Sequence, residues 1–281
     1  MSNFNNEEIL HVKKGDFEYL QFKKLNKYSD RLFHAITLRH GGVSSGEYNS
    51  LNFRVSGKDS KENVLKNLKK KKKKTNIDNE KIYKAMQAHT SNILILDNKN
   101  KEEYKFKNFN KDEYDGYITN TVGIGTLVTV ADCNCIVIYD PVNNVVANVH
   151  SGWKGTVAKI YENAINLMQK KYNSKMEDII VCFGPSIRKC CFSSKENSFK
   201  ERFTSIWKNE SEYISYKEDR FFIDLVYVIT RDLLELGIKE ENIIDSKICT
   251  MCNSNDFFSN RASKKRNSDE FGTFALVTML I

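Results

Sequence analysis

Between positions 125 and 172 the hydrophobic pattern changes period. Gly125 to Val130 is a β-rich run, Cys135 to Tyr139 is continuously apolar, and Val145 to Val149 is a second apolar run. Asp140-Pro141-Val142-Asn143-Asn144 lies between the last two and is dense in turn formers, so the pattern predicts a hairpin. Ser151-Gly152-Trp153-Lys154-Gly155-Thr156 then opens a helix to about Tyr172. Its apolar positions Val157, Ile160, Tyr161, Ala164, Leu167 and Met168 recur at helical spacing. With Tyr139 opposite Val145, Asn134 falls opposite His150, and Cys133 lies beside His150 at one end of the hairpin. Neighbouring positions across such a pair are roughly 5–8 Å apart, close enough for both side chains to grip one ion.

The same rules place the remaining elements. Residues 1–30 are a polar lead-in with Phe17 to Leu25 as an edge strand. Leu32 to Leu38 is a strand ending in a loop, Arg39-His40-Gly41-Gly42-Val43-Ser44-Ser45-Gly46, that can offer N–H groups and a guanidinium to an anion. Asp59 caps a helix to about Lys73, with Glu62 at capping-box spacing and Val64, Leu65 and Leu68 as its stripe; Thr75 to Asn79 ends it. Gln87-Ala88-His89-Thr90 leads into a strand from Ile93 to Leu96. Asn98 to Asp112 is a charged surface loop, and Asp115 to Thr119 a turn into a short strand. Ile179 to Phe183 is a buried strand, Ser198 to Trp207 a helix and Phe221 to Ile223 a strand. Asp224 caps a helix stopped by Gly237, and Ile243 begins a strand. Ala262 to Glu270 reads as a charged loop, and the chain ends in a β run from Thr273. Without repeats or a Pro/Gly/Ser linker, residues 31–281 are expected to form one domain.

Composition narrows the function classes. The chain has 281 residues, 40% of them hydrophobic, enough for a sizeable core. No apolar run spans a bilayer, and Met1 to Glu8 lacks the form of a secretion signal, so a cytoplasmic location is the default expectation. Part of the +8 net charge sits in Lys69 to Lys74. No aromatic residues interleave with these lysines for base stacking, which favours a solvated helix end over a nucleic-acid contact. Seven cysteines, an odd number, argue against a disulfide framework. Cys190 and Cys191 are adjacent and expected to point apart. Cys249-Thr250-Met251-Cys252 is a lone C-x-x-C, half of a zinc ribbon or a redox pair.

His89, Cys133 and His150 make the most economical site. Two imidazoles and a thiolate suit zinc and leave a fourth position for water or substrate. Asp132 is placed to act as a base or to orient a histidine ligand. Ser151 to Thr156, a strand-to-helix turn, leaves N–H groups that favour a bound anion. Spacing alone leaves open the ordinary alternative, in which Cys133 is a core thiol and His150 a hydrogen-bonded strand end.

The quoted stretches also resemble a known family. Thr37-Leu38-Arg39-His40-Gly41-Gly42-Val43-Ser44, Gln87-Ala88-His89, Ala131-Asp132-Cys133, His150 through Thr156, Gly184-Pro185-Ser186-Ile187 with Cys190-Cys191, and Cys249-Thr250 with Phe258-Ser259 and Arg261 stand in the order seen in the YfiH/laccase-domain proteins. These are often called polyphenol oxidases and are now described as purine nucleoside phosphorylases. The resemblance implies a YfiH-like α+β fold of mixed sheets flanked by helices, and zinc on His89, Cys133 and His150; beside it, Cys133 and Asp132 are the candidate catalytic residues. It also implies phosphorolysis of adenosine, inosine and methylthioadenosine, with adenosine deamination. Arg39, Ser44, Gln87, Ser151, Lys154 and Arg261 become the candidates for holding phosphate or substrate. The chain departs from the family at Phe192-Ser193-Ser194, where Tyr-Glu-Val is usual, at Ala262 in place of an Arg, and at Gly272-Thr273 in place of Gly-Arg.

Other classes stay in view. A copper-dependent phenol oxidase needs more ligands than one His/Cys/His set. A redox-sensing protein would use Cys249 and Cys252, and a nucleic-acid binder the lysine tract. The expected partners are purine nucleosides and phosphate, with no membrane and no nucleic acid, for a chain acting as a monomer.

Overall fold

Alternating side chains in the strands go to two different cores, which stacks the molecule in layers. The computed structural model describes residues 3–75 and 79–281. The lysine tract beyond Lys70 falls outside the described side chains, as does part of the helix end expected over 75–79. In chain order the strands and helices are β1 (Ile9–Lys14), β2 (Phe17–Phe22), β3 (Leu32–Thr37), α1 (Lys61–Thr75), β4 (Ile82–Tyr83), β5 (Ile93–Ile95), β6 (Gly116–Thr119), β7 (Gly125–Val130), β8 (Asn134–Asp140) and β9 (Val145–Ser151). There follow α2 (Trp153–Val157), α3 (Ile160–Tyr172), β10 (Ile180–Phe183), β11 (Ser193–Ser194), α4 (Asn197–Thr204), α5 (Glu210–Tyr213), β12 (Ile214–Lys217), β13 (Arg220–Ile223), α6 (Leu225–Glu235), β14 (Ile243–Asp245), α7 (Asn260–Lys265) and β15 (Phe274–Leu280).

Two six-stranded mixed sheets face each other, in the orders β1-β2-β3-β15-β7-β4 and β14-β10-β8-β9-β6-β5. Leu20, Ile36, Val128 and Leu276 of the first meet Cys135, Val137, Tyr139 and Val146 of the second in a central core. Their sequence neighbours point the other way. Tyr19, Ala35, Leu127 and Val277 pack beneath Val64 and Leu68 of α1, whereas Ile136, Ile138, Ala147 and Val149 pack beneath α3 and α6. Strands buried on both faces need no polar face, hence the unbroken apolar runs of β8 and β9, all buried. A small sheet, β11-β13-β12, lies beside the helices on the second sheet's outer side.

The structure corrects several sequence expectations. The hairpin pairs Asp140 with Val145, Cys135 with His150 and Asn134 with Ser151, one residue away from the expected register. The cause is Asp140, which stays in the ladder while its carboxylate accepts the N–H groups of Val142 and Asn143, so the loop is Pro141 to Asn144. β7 does not belong to the hairpin's sheet and lies in the opposite one. The Phe17 strand is internal, and β1 forms the edge. Ser60 caps α1 one residue later than expected, its hydroxyl accepting from Asn63 N–H at 3.0 Å. The single helix expected from Ser151 to Tyr172 breaks at Lys159, whose φ is 52°. Asn98 to Asp112 is anchored by buried Tyr104 and Phe106 within short 3-10 turns, and the charged stretch after Ser259 begins with α7.

Candidate metal centre

Three segments from different parts of the chain converge at the end of the β8–β9 hairpin. His150 is the penultimate residue of β9. Cys133 precedes β8 and follows Asp132, whose φ of 90° swings the chain out of β7. His89 sits in the loop after β4, itself left-handed with φ 61°. Left-handed backbone is uncommon outside glycine and persists where its surroundings over-determine it. One donor atom from each of His89, Cys133 and His150 lies within 4.8 Å of the others. Cys133 Sγ is 3.7 Å from His89 Nε2, and the two imidazoles meet edge to face at 4.8 Å between centroids. The convergence expected from sequence therefore holds, although by a different register. Cys133 lies beyond the end of the ladder, beside Gly152. A Cβ on Gly152 would stand 2.8 Å from His89 Cδ2 and 2.9 Å from Cys133 Sγ, so only glycine leaves the donors room.

Asp115, which the sequence reading treats only as a turn residue, organises both histidines. Its Oδ1 is 2.7 Å from His150 Nδ1, which leaves Nε2 to face the other donors. The same carboxylate accepts N–H groups from Ala88, His89 and Thr90 and the Thr90 hydroxyl, fixing the His89 loop. Burial opposes its ionisation, but His150 and the Thr90 bonds prevail and hold its pKa at about 2. Burial likewise raises the Cys133 thiol and lowers His150. Their mutual attraction overrides it, drawing Cys133 down to about 6 and His150 up to about 9. A thiolate beside an imidazolium at neutral pH is a donor set held ready for a cation that displaces the proton.

Asp132 is no free base. Thr250 Oγ1 donates to one of its oxygens at 2.7 Å and Arg261 N–H to the other at 2.7 Å. Burial raises its pKa against these bonds. The orienting role proposed for it belongs to Asp115, and Asp132 instead pins the Cys133 turn to the loop after β14.

The candidate phosphate and substrate residues divide. Ser44 is buried and donates to Asp59 at 2.6 Å, and the Ser151 hydroxyl is buried against Thr156 at 3.1 Å, so both are spent inside the fold. The Gln87 amide is tied to Thr129 of β7 and to Lys84 Nζ. Its visible work is to hold the His89 loop. Arg39 gives Nε to Asn49 O and Nη1 to Ser254 O, with its guanidinium 4.4 Å over the Phe258 ring. Arg261 gives Nη1 to the carbonyls of Cys191 and Ser193, with its guanidinium 5.7 Å from the Phe192 ring centroid. Lys154 is exposed in the first turn of α2, two residues from Gly152.

Sequence spacing presents four further cysteines as unrelated pieces, and the fold brings them together. The sulfur atoms of Cys190, Cys191, Cys249 and Cys252 lie within 4.8 Å of one another. The adjacent cysteines do not point apart: their sulfurs are 3.7 Å from each other.

Fold and site together define an α+β protein with paired mixed sheets and a two-histidine, one-cysteine set of donor atoms that could hold a metal ion. A family model described as "Multi-copper polyphenol oxidoreductase laccase" matches residues 33–281, and the chain belongs to that family. It is 34% identical over 252 residues to mouse "Purine nucleoside phosphorylase LACC1", a match covering 87% of this chain and 54% of the mouse protein. The chain thus spans about half of that relative. It is 28% identical to the Bacteroides thetaiotaomicron "Purine nucleoside phosphorylase", covering 88% of this chain and 92% of that one. The crystal structure of Bacillus licheniformis YfiH superposes with a TM-score of 0.87 at 23% identity, over 96% of this chain and 99% of that one, which shows the shared fold. Among the described residues no helix is long and apolar enough to cross a membrane.

Proposed function

We propose that this chain is a zinc-dependent purine nucleoside phosphorylase acting on adenosine, inosine and methylthioadenosine, with adenosine deamination as a second activity. The observation that carries this reading is the donor set of His89, Cys133 and His150, braced by one carboxylate and left with an exposed side at His89. The naming of relatives supports the substrate class: several are called purine nucleoside phosphorylases and one, from an unknown prokaryotic organism, "Adenosine deaminase RL5". Three protein donors with an open fourth position form the catalytic rather than the structural zinc pattern. Bound zinc would supply Lewis acidity and, for deamination, a water ionised near neutral pH.

In phosphorolysis the bond between the ribose C1′ and the purine nitrogen breaks, and its electron pair leaves on the purine. A phosphate oxygen forms the new bond to C1′, and a proton reaches the departing nitrogen. We assign phosphate capture to Arg261 and Lys154, with Arg39 behind them. Arg261 is joined through its backbone N–H to Asp132, the neighbour of Cys133, and its guanidinium reaches the carbonyls of Cys191 and Ser193. Gln87 and Ser44 would act through the loops they hold. Asp115 would keep both imidazoles in position.

The family description raises copper as a second reading. The chain has five histidines. His11 is held by Glu18, His34 accepts the Phe22 N–H and His40 pairs with Asp256, so two imidazoles remain for metal. Multi-copper reduction of dioxygen needs more ligands than that.

Inosine and phosphate incubated with the zinc-replete chain should give hypoxanthine and ribose 1-phosphate in equal amounts, and adenosine without phosphate should give inosine and ammonia. Cys133→Ala should lose both zinc from this site and turnover while keeping the melting temperature of a folded protein. A zinc-replete chain that forms no phosphate-dependent product across the three nucleosides would overturn the assignment.

A further inference from the structure

We propose that Cys190, Cys191, Cys249 and Cys252 form a second, structural zinc site, closed by four thiolates and separate from the His89–Cys133–His150 centre. Of the seven cysteines, Cys133 belongs to the first centre, and Cys135 and Cys182 are fully buried in the central core. The remaining four come from two loops about sixty residues apart, yet their sulfurs share one small volume. Cys190 and Cys191 stand on the loop between β10 and β11, Cys249 and Cys252 on the loop between β14 and α7.

The distances select a metal. Cys190 Sγ is 3.7 Å from Cys191 Sγ and 3.8 Å from Cys252 Sγ, and Cys191 Sγ is 3.5 Å from Cys252 Sγ. A tetrahedron with zinc–sulfur bonds of about 2.3 Å has sulfur–sulfur edges of about 3.8 Å. A disulfide would need about 2.05 Å. These three separations match the edges of a zinc-sized tetrahedron, and Cys249 Sγ lies within 4.8 Å of the other three sulfurs. The lone C-x-x-C finds its missing half in an adjacent pair rather than in a second C-x-x-C, which is why sequence spacing does not announce it. Four thiols lose their protons on binding, and the coordination sphere is then full, so no substrate is activated there.

The site has a mechanical consequence. A bridge joins Ser186 to Cys249, with Thr250 N–H donating to Ser186 O at 3.0 Å. Ile187 N–H donates to Asp132 O at 2.7 Å, and Thr250 Oγ1 and Arg261 N–H hold the Asp132 carboxylate. Arg261 Nη1 reaches back to Cys191 O at 3.1 Å. The four-cysteine zinc therefore clamps the two loops that grip Asp132, one residue from the Cys133 ligand. Both outer thiols, Cys190 and Cys252, are exposed, so the metal can be loaded and removed from solvent.

The test is zinc stoichiometry on the full chain, purified under reducing conditions and measured by elemental mass spectrometry. Wild type should carry two zinc ions per chain, Cys133→Ala one, and Cys190→Ser/Cys252→Ser one. Cobalt loaded into Cys133→Ala should show the intense sulfur-to-metal charge transfer of four thiolates, and zinc should protect all four cysteines in that variant from alkylation. The double variant is the one at risk of misfolding; Cys133→Ala leaves the cluster intact and reports regardless. One zinc in wild type with none in Cys133→Ala would overturn the proposal. So would rapid alkylation of the four cysteines in zinc-saturated Cys133→Ala, or disulfides among them in reduced preparations. Because these readouts do not involve turnover, the second site and the nucleoside reading fail or survive separately.

Discussion

Asp115 braces the candidate metal centre at two points, His150 and the His89 loop. One carboxylate fixes the His150 tautomer and collects three backbone N–H groups from the His89 loop, so two donors far apart in sequence share one anchor. Asp115→Asn keeps the shape but places an NH2 where an acceptor is needed, leaving donors facing donors. Zinc affinity should fall about 10–100-fold, the usual effect of losing such a partner. Competition with a chelator reads this, and affinity within twofold of wild type would remove Asp115 from its assigned role. Sequence points to the three donor residues because a thiol and two imidazoles are rare and chemically distinctive. It hides Asp115 because Asp-Gly before a strand reads as a turn, and only the pairing of β6 with β9 brings the carboxylate beside His150. Asp132 misleads for the opposite reason. It sits next to a ligand in the chain, but both its oxygens face Thr250 and Arg261, residues more than a hundred positions away.

At the scale of elements, the legible parts are those with strong local signals. The two strands β8 and β9, the helical stretch ending at Tyr172, and α6 with its Asp224 cap and its Gly237 stop at φ 94° stand where the pattern puts them. The hairpin register was not legible, because it depends on whether Asp140 leaves the ladder to enter the turn. A related side-chain substitution for backbone occurs between β2 and β3. Their ladder pairs Tyr19 with Thr37 and Leu20 with Ile36, and beyond it the Phe22 N–H donates to His34 Nε2 at 2.7 Å. Burial pushes the His34 pKa down from 6.5 to about 3, so the ring accepts this bond as the neutral form. Between those values the unfolded chain binds a proton that the native chain does not. Stability from His34 is therefore complete above pH 6.5 and is lost progressively toward pH 3. From pH 6.5 to pH 5 the loss should be about 2 kcal/mol, at 1.36 kcal/mol per unit. His34→Gln supplies an amide acceptor that does not titrate. Urea unfolding at pH 7 and pH 5 should show a smaller stability drop in the variant by about that amount; equal drops would contradict the mechanism.

For the whole molecule, the decisive question is what makes two sheets with three separate cores behave as one body. Apolar packing is non-directional and does not set the relative position of the sheets. Asn148, in the middle of β9 and fully buried, supplies direction. Its Nδ2 donates to Thr126 O of β7 and to Leu276 O of β15, each at 3.1 Å, across the central core. The metal centre needs this alignment, since Cys133 hangs from the end of β7 and His150 lies two residues beyond Asn148. Asn148→Leu fills the space but removes both hydrogen bonds between the sheets. Each such hydrogen bond is worth about 0.5–1.5 kcal/mol net, and the variant also removes Asn148 Oδ1, which has no partner of its own. The balance is a net loss of about 2 kcal/mol. Both tryptophans, Trp153 and Trp207, pack on the core beneath α3 and α6, so their fluorescence follows that side alone, whereas far-ultraviolet dichroism follows both sheets. In the wild-type chain the two probes should give one coincident urea transition. In Asn148→Leu the midpoint should fall while the probes stay coincident and the slope is unchanged, because the same surface is exposed on unfolding. Separate transitions in the wild type would mean that the sheets fold independently, and the shared metal site would then need another explanation for its alignment.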